Sequence, residues 1–338
     1  MLKEAIKKLV AGVDLTREEA SLAMDEIMSG NATPSQIAAF ITALSIKKET
    51  ALEITGCSER MRAHAAKIFP HAKNLVDTCG TGGDSSGTFN ISTAAALVAA
   101  GAGVSVAKHG NRSVSSRSGS ADVLEALGVK VDLEPKKVEE CINTIGIGFI
   151  YAPNFHKAMR YAAPTRKEIG IRTIFNILGP LTNPAGASAQ LLGVFSRELT
   201  SIMAEVLKNL GTVHAMVVCS RDGLDEISIS DKTRVAHLKD GKIKEYDIKP
   251  QDFGLKPALK NEILGASPAE NSGLILKIIR EKEKGPKRDV VVLNAGAAIY
   301  IGGKASDIKQ GIKLAEEAID GGMAEKKLKE LIDFTQGA

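Results

Sequence analysis

From Ser85 to Ala121 the chain carries no acidic residue, whereas Lys108, Arg112 and Arg117 contribute a charge of +3. Glycines at 80, 82, 83 and 87 follow a short apolar run, and a helical pattern begins near Asn90 or Ile91. A loop of this kind, feeding a helix N-terminus, turns backbone N–H groups toward a ligand, and the helix dipole there favours negative charge. Ser92 and Thr93 add hydroxyl donors in the first turn. The patterns GTGGD and GAGVSVAKHG match neither the Walker A loop nor the dinucleotide fingerprint. A second glycine- and serine-rich loop, Lys108–Ser120, follows the next apolar run. Two such loops at neighbouring strand ends converge on one crevice, so the chemistry expected is the binding of a phosphate-bearing anion.

A phosphate ligand often comes with a divalent cation. Gly223-Leu-Asp-Glu226 offers adjacent carboxylates, which can share Mg²⁺ with substrate phosphates or lie on a solvated surface. The four cysteines, at 57, 79, 141 and 219, are isolated from one another, which leaves no zinc knuckle or redox pair and points to buried thiols. No Ser or Cys triad is visible. His109 and His156 each read as structural histidines with satisfied rings rather than as catalytic groups, His109 packing beneath its loop.

These groups need a scaffold, and two textures supply it. Residues 1–72 read as helices only. Thr16-Arg-Glu-Glu19 and Thr50-Ala-Leu-Glu53 are capping boxes, Gly30 stops one helix, and Thr33-Pro34 starts the next. Beyond Phe69-Pro70, short apolar runs at 75–76, 104–106, 148–151, 190–194 and 213–218 alternate with helical patterns at 91–100, 121–127, 136–145 and 198–210. That alternation predicts βα units. Asp240-Gly241 reads as a hairpin turn within 227–248, and the segment DVVVLNAGAAIYI as a buried helix. The expected fold is α/β: a small N-terminal all-α domain over 1–72, and a larger α/β domain over 73–338 with a mostly parallel central sheet.

Composition excludes several classes of function. Among 338 residues, 44% are hydrophobic and 25% charged, which rules out wholesale disorder. Trp is absent and aromatics are 4%, which argues against a stacking platform for single-stranded nucleic acid. No apolar run reaches the ~18 residues of a membrane span, and MLKEAIKKLV is an amphipathic helix pattern unlike a signal peptide. A cytoplasmic protein with no membrane and no nucleic-acid partner is expected. The net charge of +4 lies entirely in Lys277–Arg288, six basic residues against two acidic, and reads as a solvated face.

Asp77-Thr-Cys-Gly-Thr-Gly-Gly-Asp84, Asn90-Ile-Ser-Thr93, Lys108-His-Gly-Asn-Arg-Ser-Val-Ser-Ser116, Gly179-Pro-Leu-Thr-Asn-Pro184 and Leu224-Asp-Glu226 together resemble the anthranilate phosphoribosyltransferase family. So does the helical opening ATPSQIAAFITAL at 32–44. The likeness runs nearly the full length. It implies transfer of phosphoribose from 5-phosphoribosyl 1-pyrophosphate to the amine of anthranilate in tryptophan biosynthesis. It also implies a homodimer through the helical domain, closure of one domain on the other, and a helical return over 165–188.

Carried over by position, the resemblance assigns the ribose phosphates and pyrophosphate to Gly80, Gly83, Asp84, Thr88, Asn90, Ile91, Ser92 and Thr93. Lys108, His109, Gly110, Asn111, Arg112, Ser113, Val114, Ser115, Ser116 and Ser120 complete that site. Ser92, Asp225 and Glu226 match magnesium ligands, and Asn111 and Arg166 match anthranilate contacts, with Gly80, His156 and Pro180 nearby. Lys108 and Arg166 would act by charge and positioning, without a covalent nucleophile. A guanidinium at 166 can pair bidentately with a carboxylate, although Lys167 and Glu168 beside it also suit a surface ion pair. Arg112 and Arg117 read as phosphate contacts or as loop charges. Two alternatives stay open: a pyrimidine nucleoside phosphorylase, whose Lys-His loop differs from HGNRSVSS, and a nucleic-acid-binding, non-enzymatic paralogue.

Overall fold

The computed structural model describes residues 1–84, 86–113 and 118–338. The chain opens on helices α1 (Leu2–Val10), α2 (Arg17–Met28), α3 (Pro34–Lys47) and α4 (Ala51–Ala63). Both expected capping boxes form: the Thr16 and Thr50 hydroxyls accept from the Glu19 and Glu53 amides while each glutamate reaches back. Thr33 caps α3 in the same way through Gln36, with Pro34 at its first position.

Strands β1 (Leu75–Gly80), β2 (Ser105–Gly110), β3 (Ile147–Tyr151), β4 (Ala189–Gly193), β5 (His214–Ser220), β6 (Thr233–Lys239) and β7 (Lys242–Ile248) make one sheet, ordered β3-β2-β1-β4-β5-β6-β7. The first five run parallel; β6 and β7 are antiparallel. Asp240 and Gly241 take φ of 51° and 71°, the doubly positive geometry of a tight hairpin. The sequence pattern places the first arm of this excursion from residue 227, but residues 227–232 are drawn out of the ladder. There the Ile227 backbone is held at both its N–H and its C=O by the buried Asn294 side chain.

Between and after the strands come α5 (Ile91–Gly101), α6 (Ser120–Ala126), α7 (Pro135–Ile145), α8 (Ala152–Phe155), α9 (Ala163–Ile169), α10 (Phe175–Leu178), α11 (Glu198–Asn209), α12 (Pro268–Ile279), α13 (Pro286–Ile301), α14 (Ile308–Asp320) and α15 (Met323–Gln336). The stretch from Asp289 is helical and almost wholly buried in α13, where Ala and Gly allow close packing. Alternate strand residues feed two cores. Leu191, Met216 and Val218 face α5 and α13; Leu192, Ala215 and Val217 face α11 and the N-terminal helices. Ile174, Phe175, Ile177, Leu178 and Leu181 join that second core beside Met24, Phe40 and Leu44. At ~1.5–3 kcal/mol for each fully buried apolar side chain, these five outweigh the polar ties of the same segment and hold it against the helices.

All four cysteines are free and buried. Among the described residues, no helix is long and apolar enough to cross a membrane. The basic stretch departs from a simple solvated face. Arg288 is only 2% exposed and forks onto Asp320 at 2.8 and 2.9 Å, because α14 ends beside the start of α13.

The connections β1→β2→β3 build the sheet one way, and β4 returns to the other side of β1. In such a sheet the ligand crevice opens outside the carboxyl ends of the strands at that switch. Here it lies between β1 and β4.

Candidate functional site

One rung of the sheet carries no side chains where β1 meets β4: Gly80 opposes Gly193. The residue after Leu224 explains it. A Cβ on Gly80 would collide with the Asp225 carboxylate, and one on Gly193 with the Asp225 backbone carbonyl. Glycine at both places lets Asp225 lie across the strand ends, where its Oδ2 accepts the Gly82 amide at 2.9 Å. Glu226 Oε1 accepts the Ser92 amide at 3.1 Å, at the opening of α5. Asp84 reaches the Asp225 amide at 3.4 Å and takes the Ser86 amide at 3.1 Å. Residues far apart in the chain, Gly82, Asp84, Ser92, Asp225 and Glu226, are therefore brought together.

The electrostatics of this pocket are unbalanced. Burial and the neighbouring Asp84 charge hold the Asp225 carboxyl well above the usual carboxylate range, and burial beside Asp225 does the same to Glu226. Lys108, at the end of β2 and 4% exposed, spends its ammonium on the Thr78 carbonyl at 2.5 Å and the Ser92 hydroxyl at 3.4 Å. Burial lowers its pKa against the pull of Asp77. Hard oxygen donors crowded until they repel one another suit a divalent cation such as Mg²⁺. Among the described residues, no group of three or more His, Cys, Asp or Glu side chains is arranged to hold a metal ion.

The second loop sits against the first. Asn90, just before α5, donates to the Ser118 carbonyl at 3.1 Å and accepts the Ser118 hydroxyl at 3.0 Å. Asp122 accepts the Ser113 and Gly119 amides, pinning both ends of the loop. Ser120 caps the Asn111 carbonyl at 3.3 Å, in space that Gly110 leaves open. Ile91 and Thr93 point inward, with the Thr93 hydroxyl buried and unpartnered, and Thr88 bridges to Leu264 on the rim. Arg112 forks onto Glu125 at 2.5 and 2.6 Å and reaches the Tyr151 hydroxyl, so its charge is already matched within the loop. The positions expected at Val114, Ser115, Ser116 and Arg117 lie outside the described residues.

The remaining expected positions are Arg166 and a pair of histidines. Arg166, on α9, is partly buried over the ring of Phe175 at 5.0 Å, and no carboxylate among the described residues pairs with it. The surface ion pair considered for it does not form. His109 and His156 are both buried, their ring centroids 5.1 Å apart. The Gly179 and Thr182 backbones favour the charged forms of His109 and His156, but burial outweighs them and pushes His109 down to about 3 and His156 to about 4, so both rings are neutral. The Nε2 of each is buried without a partner. Pro180 is buried in the same turn.

Several supporting residues carry no sequence signal of their own. Asp77 is fully buried in β1 and accepts the His109 amide at 3.1 Å; burial raises its pKa to about 6. Asn271 of α12 donates to Asn90 Oδ1 at 3.0 Å. Arg172 donates to the Gly83 carbonyl and stacks on Phe195 at 4.5 Å, while Ser45 of α3 bonds its backbone. A lone Asn or Arg has no pattern; only the fold brings it to the loop.

Two family models match the chain: glycosyl transferase family, a/b domain, over residues 72–325, and glycosyl transferase family, helical bundle domain, over residues 3–65. The anthranilate phosphoribosyltransferase of Acetivibrio thermocellus is 57% identical over 335 residues, 99% of this chain and 97% of that protein. The crystal structure of the enzyme of the same name from Thermus thermophilus superposes with a TM-score of 0.94 at 45% identity, covering 98% of this chain and 99% of that one. The Saccharomyces cerevisiae protein of that name, in complex with PRPP and Mg, gives a TM-score of 0.92 at 28% identity over 100% of this chain and 98% of that one.

Proposed function

This chain belongs to the anthranilate phosphoribosyltransferase family, and from that premise we propose how its residues move phosphoribose from 5-phosphoribosyl 1-pyrophosphate to the amine of anthranilate, a step of tryptophan biosynthesis. One observation carries the reading. A loop-and-carboxylate arrangement suited to a polyphosphate lies at the carboxyl ends of β1 and β4, and Arg166, partly buried over Phe175 and paired with no carboxylate among the described residues, is the group we read as taking the carboxylate of the second substrate.

Displacement at the anomeric carbon breaks the bond to pyrophosphate and forms one to the amine nitrogen, which loses a proton. The sugar is cation-like in between, so the protein's task is to orient both reactants and stabilise the departing pyrophosphate. We assign Gly80, Gly83, Asp84, Thr88, Asn90, Ile91, Ser92 and Thr93 to the ribose phosphates and pyrophosphate. Lys108, His109, Gly110, Asn111, Arg112, Ser113, Val114, Ser115, Ser116 and Ser120 complete that side. Ser92, Asp225 and Glu226 would hold Mg²⁺, which when bound neutralises charge on the leaving group. Arg166 would grip the anthranilate carboxylate in bidentate fashion, with Asn111, His156 and Pro180 around the ring. The aromatic amine is itself the nucleophile, which needs no Ser or Cys triad.

The same proposal takes residues 1–72, with 165–188 returning to them, as one domain that closes on 73–338. It places a homodimer interface on the helical domain, where Val10, Ile46 and Leu52 are exposed, and the protein in the cytoplasm. Anthranilate fluorescence, followed on adding 5-phosphoribosyl 1-pyrophosphate with Mg²⁺, tests the reading. A steady fall is expected; no change would overturn it. Uridine or thymidine with inorganic phosphate is expected to give no turnover.

A further inference from the structure

The turn Gly179–Thr182 is held in an unusual way. Three of its carbonyls accept from side chains: Gly179 from the Thr182 hydroxyl at 2.9 Å, Pro180 from Gln190 Nε2 at 2.6 Å, and Leu181 from Arg62 Nε at 2.6 Å. Backbone carbonyls in turns are ordinarily taken by backbone amides or by water. Of the two donors from outside the turn, Gln190 belongs to β4 of the sheet and Arg62 to α4 of the helical side.

Gln190 is the less expected of the two. It stands inside β4 at 4% exposure, between Ala189 and Leu191, where an apolar residue would be the ordinary choice. Its register partner is Asp77 on β1. The carboxamide nitrogen lies 3.1 Å from Cys79 Sγ and 3.5 Å from Asp77 Oδ2, so one group spans from β1 to the turn. Burying a primary amide is costly unless its hydrogen bonds are made. The chain accepts that cost where the bond it secures is Pro180 to the sheet.

The opposite face of the turn is open. A side chain added at Gly179 would meet nothing within 4 Å, although the neighbouring Pro180, Leu181 and Thr182 are buried. His109 and His156, their ring centroids 5.1 Å apart, each keep a buried Nε2 without a partner. A wall fixed by the bonds at Pro180 and Leu181, with open space at Gly179, suits a flat ligand.

We propose that Gln190 is a positioning residue for the acceptor substrate: by tying Pro180 to the β1–β4 rung, it sets the wall of the Gly179–Thr182 turn at a fixed distance from the pocket for the sugar phosphates. The inference rests on the function proposed above. Gln190 touches neither substrate; it acts through Pro180. Removing its N–H donors therefore misplaces one substrate and spares the other.

The test is steady-state kinetics on the full chain with Mg²⁺, varying each substrate in turn, with melting temperatures measured in parallel. Gln190→Met keeps the length of the side chain and removes both donors. It is expected to raise KM for anthranilate about ten-fold, the loss that fits one buried acceptor left without a donor. KM for 5-phosphoribosyl 1-pyrophosphate should stay within about two-fold. Arg62→Lys, at the partly exposed neighbouring bond, should act in the same direction by about three-fold. Equal rises in both KM values, or no rise in either, would overturn the proposal. If Gln190→Met does not fold, Arg62→Lys decides: a rise confined to anthranilate supports the clamp, and an unchanged or shared KM refutes it. A wild-type chain that consumes no anthranilate would instead bring down the reading of function, and the inference with it.

Discussion

Two pairs of histidines lie at opposite ends of the sheet, each with ring centroids 5.1 Å apart. On one side, His109 and His156 are tilted by 54° and leave both Nε2 atoms buried and unpartnered. At the other end the rings of His214 and His237 are nearly parallel, at 16°, with Nε2 atoms 2.9 Å apart in one imidazole–imidazole hydrogen bond. The Tyr246 hydroxyl, 3.0 Å from His237 Nδ1, and the edge of Tyr300 complete that second cluster. The separations agree, yet one pair is closed upon itself and the other is held in readiness. A buried polar atom without a partner has a cost, and for His109 and His156 it falls where a ligand is expected.

The sharpest way to break this contrast is at the carboxylates of the crevice. Asp225→Asn with Glu226→Gln is expected to lower kcat/KM by at least about a hundred-fold and to alter the Mg²⁺ dependence, as losses at charge-stabilising groups commonly do. An Mg²⁺ titration that matches wild type would refute the metal role. Arg166→Ala should raise KM for anthranilate by about thirty-fold or more, in line with ~2–5 kcal/mol for truncating a buried charge partner. Isothermal titration of anthranilate, with 5-phosphoribosyl 1-pyrophosphate present, reads the same loss; an undiminished affinity would remove Arg166 from the site.

The distal pair should behave in the opposite sense. His214→Gln with His237→Gln is expected to leave both KM values and kcat within about two-fold while lowering stability by about 1 kcal/mol, the usual worth of one hydrogen bond. Urea titration with parallel kinetics checks both halves, and a large loss of activity at normal stability would erase the distinction between the two pairs.

The smallest effect is in acid. Burial lowers all four rings, His109 to about 3 and His156, His214 and His237 to about 4, against about 6.5 for an unfolded histidine. Between those values the unfolded chain binds protons that the folded chain refuses. Stability present above about pH 6.5 is therefore lost as the pH falls toward 4. Lys239, Lys244 and Asp240 bear on the distal pair. Asp77, raised to about 6, and Asp225 and Glu226, raised to about 7 and about 8, work the other way, since the folded state binds their protons more tightly. The net slope is therefore small, and the distal pair is read by difference: from pH 7 to pH 5 the urea midpoint of the His214→Gln, His237→Gln double change should gain on that of the wild type. An unchanged difference would mean that the distal rings are not held neutral.

Much of the architecture could be read from local pattern. The five parallel strands fall on the five apolar runs, and the hairpin turns at Asp240-Gly241. The glycine loop, Lys108 and the Asp225–Glu226 pair could also be read, since each is a short motif with its own chemistry. What stayed hidden depends on partners distant in sequence. Gln190 looks like a stray polar residue until Pro180 and Asp77 stand beside it. Arg288 looks like one more solvated cation until α14 brings Asp320 to it. Asn271 reaches Asn90 across most of the α/β part of the chain. Periodicity reports which face of an element is buried, but not which polar group waits on the other side.

The bare rung of Gly80 and Gly193 has a consequence for anyone who would redesign this protein. Both positions sit in a strand, where a substitution would ordinarily be scored by its effect on the ladder. Here an alanine at either place would leave the pairing intact and displace Asp225. A library that varies these two positions to gain new substrates would therefore be sampling damage to a carboxylate distant in the chain. The useful diversity lies elsewhere, at side chains that line the acceptor end of the crevice without sharing a wall with Asp225.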